Sequence, residues 1–157
     1  MKVRTDYVTN SSSSSFILAF SDENSIVYEL LNDFGTDNLD MLGIVIKDVF
    51  QADRLSKDEV LEKIRDYLLD DVWYIYLQKK RRENRSLTID EFEKWMKTEE
   101  GRREVDEYIE NIVNNISRNM DDKLVFVEVE YSDHDYNELE HEIMPNLGST
   151  VYTFSCH

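Results

Sequence analysis

"KLVFVEVEYSD" (Lys123–Asp133) is where the chain changes its period. Through the middle of the sequence, apolar residues recur every three or four positions; here they alternate. Val125, Val127, Val129 and Tyr131 fall on one side of an extended chain, and Phe126, Glu128 and Glu130 on the other. That is a strand with one apolar face, and the face must be covered by another layer. Outward from this point, "FILAF" (Phe16–Phe20) is a short continuous apolar run that suits a buried strand, and "STVYTFS" (Ser149–Ser155) reads as a third strand. The order strand, helices, strand, strand predicts an α+β fold, a small sheet of about three strands packed with four to five helices. It also predicts one domain over 1–157. The helical middle covers about 22–120, and a C-terminal strand pair with an acidic, histidine-bearing loop covers 121–157. The strand at 150–154 is expected to pair antiparallel with the one at 124–131.

The helices are legible from spacing and caps. In "SDENSIVYELLNDFG" (21–35), Ser21 is the expected cap. Ile26, Val27, Leu30, Leu31 and Phe34 make one face, and Gly35 closes the helix. "DNLDMLGIVIKDVF" (37–50) fits a helix through Met41, Ile44, Val45 and Val49, although the β-branched "GIVI" also fits a strand; the helix is preferred. "SKDEVLEKIRDYLLDDVWYIYLQKKRREN" (56–84) opens with a capping box, Ser56 and Glu59. It carries the stripe Val60, Ile64, Tyr67, Leu68, Val72, Ile75 and should be the longest helix. "TIDEFEKWMK" (88–97) opens with a second box, Thr88 and Glu91. "TEEGRREVDEYIENIVNNISRNM" (98–120) has an acidic first turn and the stripe Val105, Tyr108, Ile109, Ile112, Val113, Ile116.

Composition narrows the function classes. The 157 residues include 34 Asp and Glu against 18 Lys and Arg, a net charge of −16. Such a field repels nucleic acid and anionic membranes and favours a protein partner with a basic surface, a metal cation, or simple solubility. Only one Pro and four Gly interrupt the chain, so regular elements should dominate. The single cysteine, Cys156, allows no intrachain disulfide and suits a reducing cytosol. No signal-peptide apolar region and no run of the roughly 18 apolar residues of a membrane span is present. The expectation is a cytoplasmic protein.

Directly before "FILAF" stands "VTNSSSSS" (Val8–Ser15). A phosphate cradle follows a strand, opens a helix and uses glycine for close approach; this run precedes a strand and holds no glycine. A spacer is the common use of a serine tract. Bracketed by Val8 and Phe16, the run is expected to dock against the sheet edge. Its wording also has a kin. The opening "MKVRTDYVTNSSSSSF", through Arg4, Thr5, Asp6, Tyr7, Val8, Thr9, Asn10, Ser11 to Ser15 and Phe16, resembles that of a group of bacterial and phage-associated proteins. The segment "DHDYNELEHEIMP" (133–145), with the final His157, is similar to endings in the same group. A glycine often stands there where this chain has Tyr136, which puts the turn after Asp135 in question. The resemblance covers about a fifth of the chain, skips the helical middle and implies no activity; it points to a phage or mobile-element setting.

The residues that could carry chemistry gather at the C-terminal end. His134, His141, His157 and Cys156 stand among Asp133, Asp135, Glu138, Glu140 and Glu142. Imidazole and carboxylate together suit Zn, Fe or Mn. The expected metal ligands are His134, Asp135, Glu138, His141 and His157. If 137–143 is helical, Glu138 and His141 share a face in the Glu-x-x-His spacing of carboxylate-bridged sites; if it is extended, the set changes. Glu128 and Glu130 could lead into the same site. Against this stands an acidic surface loop with incidental histidines. No catalytic residue is expected: Cys156 and His157 are adjacent, and neighbours on a strand point to opposite faces. The basic run Lys79, Lys80, Arg81, Arg82 and Arg85 ends the longest helix, where cations offset the dipole, and this is preferred to a phosphate patch. Together these features predict an acidic accessory protein, an inhibitor in kind, that occupies a basic surface on a nucleic-acid-handling protein. The alternative is a metal-dependent hydrolase built on the C-terminal histidines and acids.

Overall fold

β1 is Ser13–Phe20, so the strand begins three residues before the apolar run and takes in the last three serines. The computed structural model describes residues 13 to 156; Val8 and most of the serine run's N-terminal half, like His157, lie outside them. Within the described residues the fold is α+β. After β1 come α1 (Ile26–Phe34), α2 (Leu39–Gln51), β2 (Arg54–Leu55), α3 (Lys57–Glu83), α4 (Ile89–Lys97) and α5 (Glu99–Arg118). β3 (Val125–Ser132), α6 (Asp133–Glu138), a π-turn at Leu139–Ile143 and β4 (Thr150–Cys156) complete it. The sheet has four strands, not about three, in the order β2-β3-β1-β4, all antiparallel. The extra strand is the two-residue β2, too short to leave a period in the sequence.

The expected pairing of the two C-terminal strands is corrected. β4 pairs with β1, and β1 lies between β4 and β3. The reason is visible in "FILAF": Phe16, Ile17, Leu18 and Phe20 are all fully buried, so both faces of β1 are covered, as in a central strand. Ser13, Ser14 and Ser15 therefore enter the middle of the sheet rather than its edge. β3 is flanked by β1 along its length and by β2 only at Phe126 and Val127, which leaves Glu128 and Glu130 beyond the short strand.

The described residues fall into two compact units, one formed by Leu61–Met120 and the other by the chain up to Val60 and from Asp121 on. In the second, the core lies on one face of the sheet. Phe16, Leu18 and Phe20 of β1 and Val127, Val129 and Tyr131 of β3 meet Ile26, Leu30 and Phe34 of α1 and Leu42, Val45 and Val49 of α2. The "GIVI" stretch is helical because Leu42, Val45 and Val49 place one stripe on that core. α1 corrects the sequence reading: Val27 and Leu31 are each 45% exposed, because the sheet covers only the line Ile26–Leu30–Phe34. The cap is also moved. Asp22 and Ser25 form a box around the 3-10 turn Glu23–Ser25 that leads into α1, while the Ser21 hydroxyl donates to Glu29.

In the helical unit, Ile64, Leu68, Val72 and Tyr76 continue the stripe of α3 with a strict four-residue step, which leaves Ile75 exposed. Trp73, Tyr76, Phe92, Trp95 and Tyr108 form a connected set of ring contacts. The first two residues of the basic run lie against it: Lys80 Nζ is 4.2 Å from the Trp95 ring centre and Lys79 Nζ 5.2 Å from that of Tyr76. Thr88 and Thr98 cap α4 and α5 through Glu91 N–H and Gly101 N–H.

Candidate functional site

β3 ends in Ser132, and the chain turns at once into α6. Tyr136 leaves helical geometry with φ −143° and ψ 60°, a negative-φ turn that tyrosine makes without needing glycine. The π-turn that follows sets Leu139 and Met144 five residues apart on its inner side, and both are fully buried. Glu140 is carried inward beside them and is 2% exposed. A buried carboxylate demands hydrogen-bond donors. Ser14 of β1 supplies one: its hydroxyl donates to Glu140 Oε1 at 3.0 Å, across 126 residues of sequence. Ser14 of the serine run and the segment after β3 thus meet at this bond.

The other Glu140 oxygen faces His141. His141 Nε2 lies 3.3 Å from Glu140 Oε2 and 3.9 Å from Asp133 Oδ2. One ligand atom from each of Asp133, Glu140 and His141 can be drawn within 4.8 Å of the others. Of the ligands expected from sequence, the cluster contains His141. His134, Asp135 and Glu138 are exposed and stand outside it, and His157 is outside the described residues. Asp135 is instead bonded by the Ser132 hydroxyl, and Glu138 borders a cleft with Thr36–Met41. Glu128 and Glu130 do not lead to the cluster. They lie on the sheet face opposite Tyr131 and Ser14, where Ser15 meets Glu130 at 3.4 Å. Asp133 and Glu140 stand among the acids that the sequence gathers around the histidines but were not among the expected ligands. Asp133 is marked only by its position at a strand end, and the burial of Glu140 depends on a π-turn that no 3.6-residue period reveals.

The order runs from a hydroxyl-to-carboxylate hydrogen bond to a 3.3 Å contact between the other carboxylate oxygen and the imidazole. Nucleophilic serine chemistry needs the imidazole on the hydroxyl, so Ser14 is not arranged as a nucleophile. No protein family, curated protein or solved structure matches the chain.

A second acidic feature lies along β3. β2 pairs with β3 only at Phe126 and Val127. Beyond it, a cleft of about 310 Å³ is lined by Asp48, Gln51, Ala52, Glu128, Val129 and Glu130. The Tyr131 hydroxyl donates to Asp48 Oδ2 at 2.9 Å. Burial, then the Asp48 carboxylate, push the Tyr131 phenol well above its usual range, so it stays a donor. Charge is divided sharply between the two units. Residues 13–60 and 121–156 hold 19 carboxylates and four Lys and Arg, a net −15, whereas 61–120 hold 14 and 12, a net −2. Of those four cations, Arg54 is paired with Glu23 and Lys57 lies 3.4 Å from Asp122. No helix among the described residues is long and apolar enough to cross a membrane.

Proposed function

We propose that this protein is an acidic binding protein whose α+β unit occupies a cationic surface on a nucleic-acid-handling partner. The observation that carries the reading is the charge partition, with −15 on the α+β unit and near-neutrality on the helical one. A field concentrated on one unit steers and holds a partner of opposite sign, whereas charge serving solubility alone has no reason to collect there. The cleft beside Asp48, Glu128 and Glu130 is where a lysine or arginine side chain of that partner would enter. The test is binding of the full chain to an immobilised Lys/Arg-rich peptide in a salt series. Affinity should fall steeply between 0.05 and about 0.5 M salt, as the screening length shrinks from beyond ~10 Å. Glu128→Lys with Glu130→Lys should weaken it further. Binding that ignores salt, or that survives the double reversal, would sink the proposal. A metal-dependent hydrolase is the second reading, favoured by the meeting of Asp133, Glu140 and His141.

A further inference from the structure

We infer that Asp133, Glu140 and His141 hold one divalent transition-metal ion, zinc in the first instance, with Ser14 as a positioning residue. This stands apart from the docking of a cationic partner and does not depend on it. Four-coordinate zinc, with ligand bonds of about 2.0–2.2 Å, sets neighbouring ligand atoms roughly 3.3–3.6 Å apart. His141 Nε2 and Glu140 Oε2 already stand at 3.3 Å. Asp133 Oδ2 stands 3.9 Å from the same nitrogen, the three ligand atoms all lie within 4.8 Å of one another, and the Asp133 side chain, 29% exposed, has solvent space in which to turn toward the ion.

The donor set is mixed, one imidazole and two carboxylates, which suits zinc and manganese better than the all-oxygen sets of calcium or magnesium. Its burial is uneven in a useful way. The Glu140 side chain is wholly buried, with one oxygen held by Ser14. That bond leaves Oε2 directed at His141, which is the role an outer partner plays for a ligating carboxylate. His141 is 42% exposed, so an ion has an approach from solvent. The surrounding unit's net −15 raises the local cation concentration. Three protein ligands leave one position for water or an anion, the arrangement of open rather than closed zinc sites. A protonated His141 held between the two carboxylates would make the same contacts, and a metal titration separates the two states.

The experiment uses the full chain, stripped with chelator and dialysed, titrated with zinc chloride by calorimetry and with manganese chloride by electron paramagnetic resonance. One equivalent of zinc should bind at micromolar dissociation constant or tighter. His141→Ala and Asp133→Asn, both at partly exposed side chains, should weaken it at least ~10-fold, and Ser14→Ala about 10-fold through Glu140 alone. His134→Ala should bind as the parent does. Circular dichroism on each variant verifies that the fold is kept, which matters most at Ser14. Zinc binding that is unchanged in both His141→Ala and Asp133→Asn would overturn the inference. So would weak binding of many equivalents, or loss of the site in His134→Ala.

Discussion

Adjacent serines in β1 have opposite duties, because the pleat sends them to opposite faces. Ser14 is buried against Glu140, and Ser15 meets Glu130 at the surface. Ser14→Ala should cost about 1–3 kcal/mol in urea unfolding, since it strips a donor from a buried carboxylate; Ser15→Ala should cost less than about 0.5 kcal/mol. Tyr131 gives a pH signature. Its phenol ionises near 10 in the unfolded chain and well above that when folded, so the unfolded state loses its proton first as pH rises. Its contribution is therefore whole below pH 10 and is lost above it. The Tyr76 phenol is raised in the same direction, by burial first. Stability followed by denaturant from pH 8 to 11 should fall in the alkaline limb, and Tyr131→Phe should flatten that fall while lowering stability at pH 8.

At the scale of elements, two glycines with different surroundings make opposite predictions. A Cβ on Gly43, inside α2, would meet nothing within 4 Å, so Gly43→Ala should stabilise by roughly 0.5–1 kcal/mol through helix propensity. A Cβ on Gly101, in the first turn of α5, would fall on the backbone carbonyl of Trp95, which does not yield; Gly101→Ala should destabilise by about 1–3 kcal/mol. Thermal melts of the two variants check both signs. The same scale separates what sequence could reveal from what it could not. The capping box of α3 is present as Ser56 and Glu59 because it is a local hydrogen-bond pattern, complete in four residues. The period-2 run of β3 is equally local. The place of β4 was not legible, because pairing depends on which strand is buried on both faces and not on which is nearest in sequence. Of Asp133, Glu140 and His141, which lie together, only His141 was among the ligands expected from sequence. The other two depend on a strand end and on a π-turn, where a five-residue step replaces the expected period.

At the scale of the whole molecule, the −15 carried by the α+β unit is a cost as well as a means of binding. Carboxylates confined to one unit repel one another, and added salt screens that repulsion. The melting temperature should therefore rise as sodium chloride goes from about 0.01 to 0.5 M, most steeply at the low end. A melting temperature flat across that range would mean that the repulsion is already offset within the fold.

The central position of β1 has a consequence for how the chain comes off the ribosome. Its partners on both sides, β3 and β4, are made more than a hundred residues later. Until they emerge, an apolar strand is left with both edges open, and the nascent chain must shelter it. The three helices of 61–120 are built from local contacts and need not wait. Synthesis halted before Val125 should thus yield helix without a sheet, with Phe16–Phe20 open to chaperone and protease alike. Pairing of β4 would then close the second edge of β1.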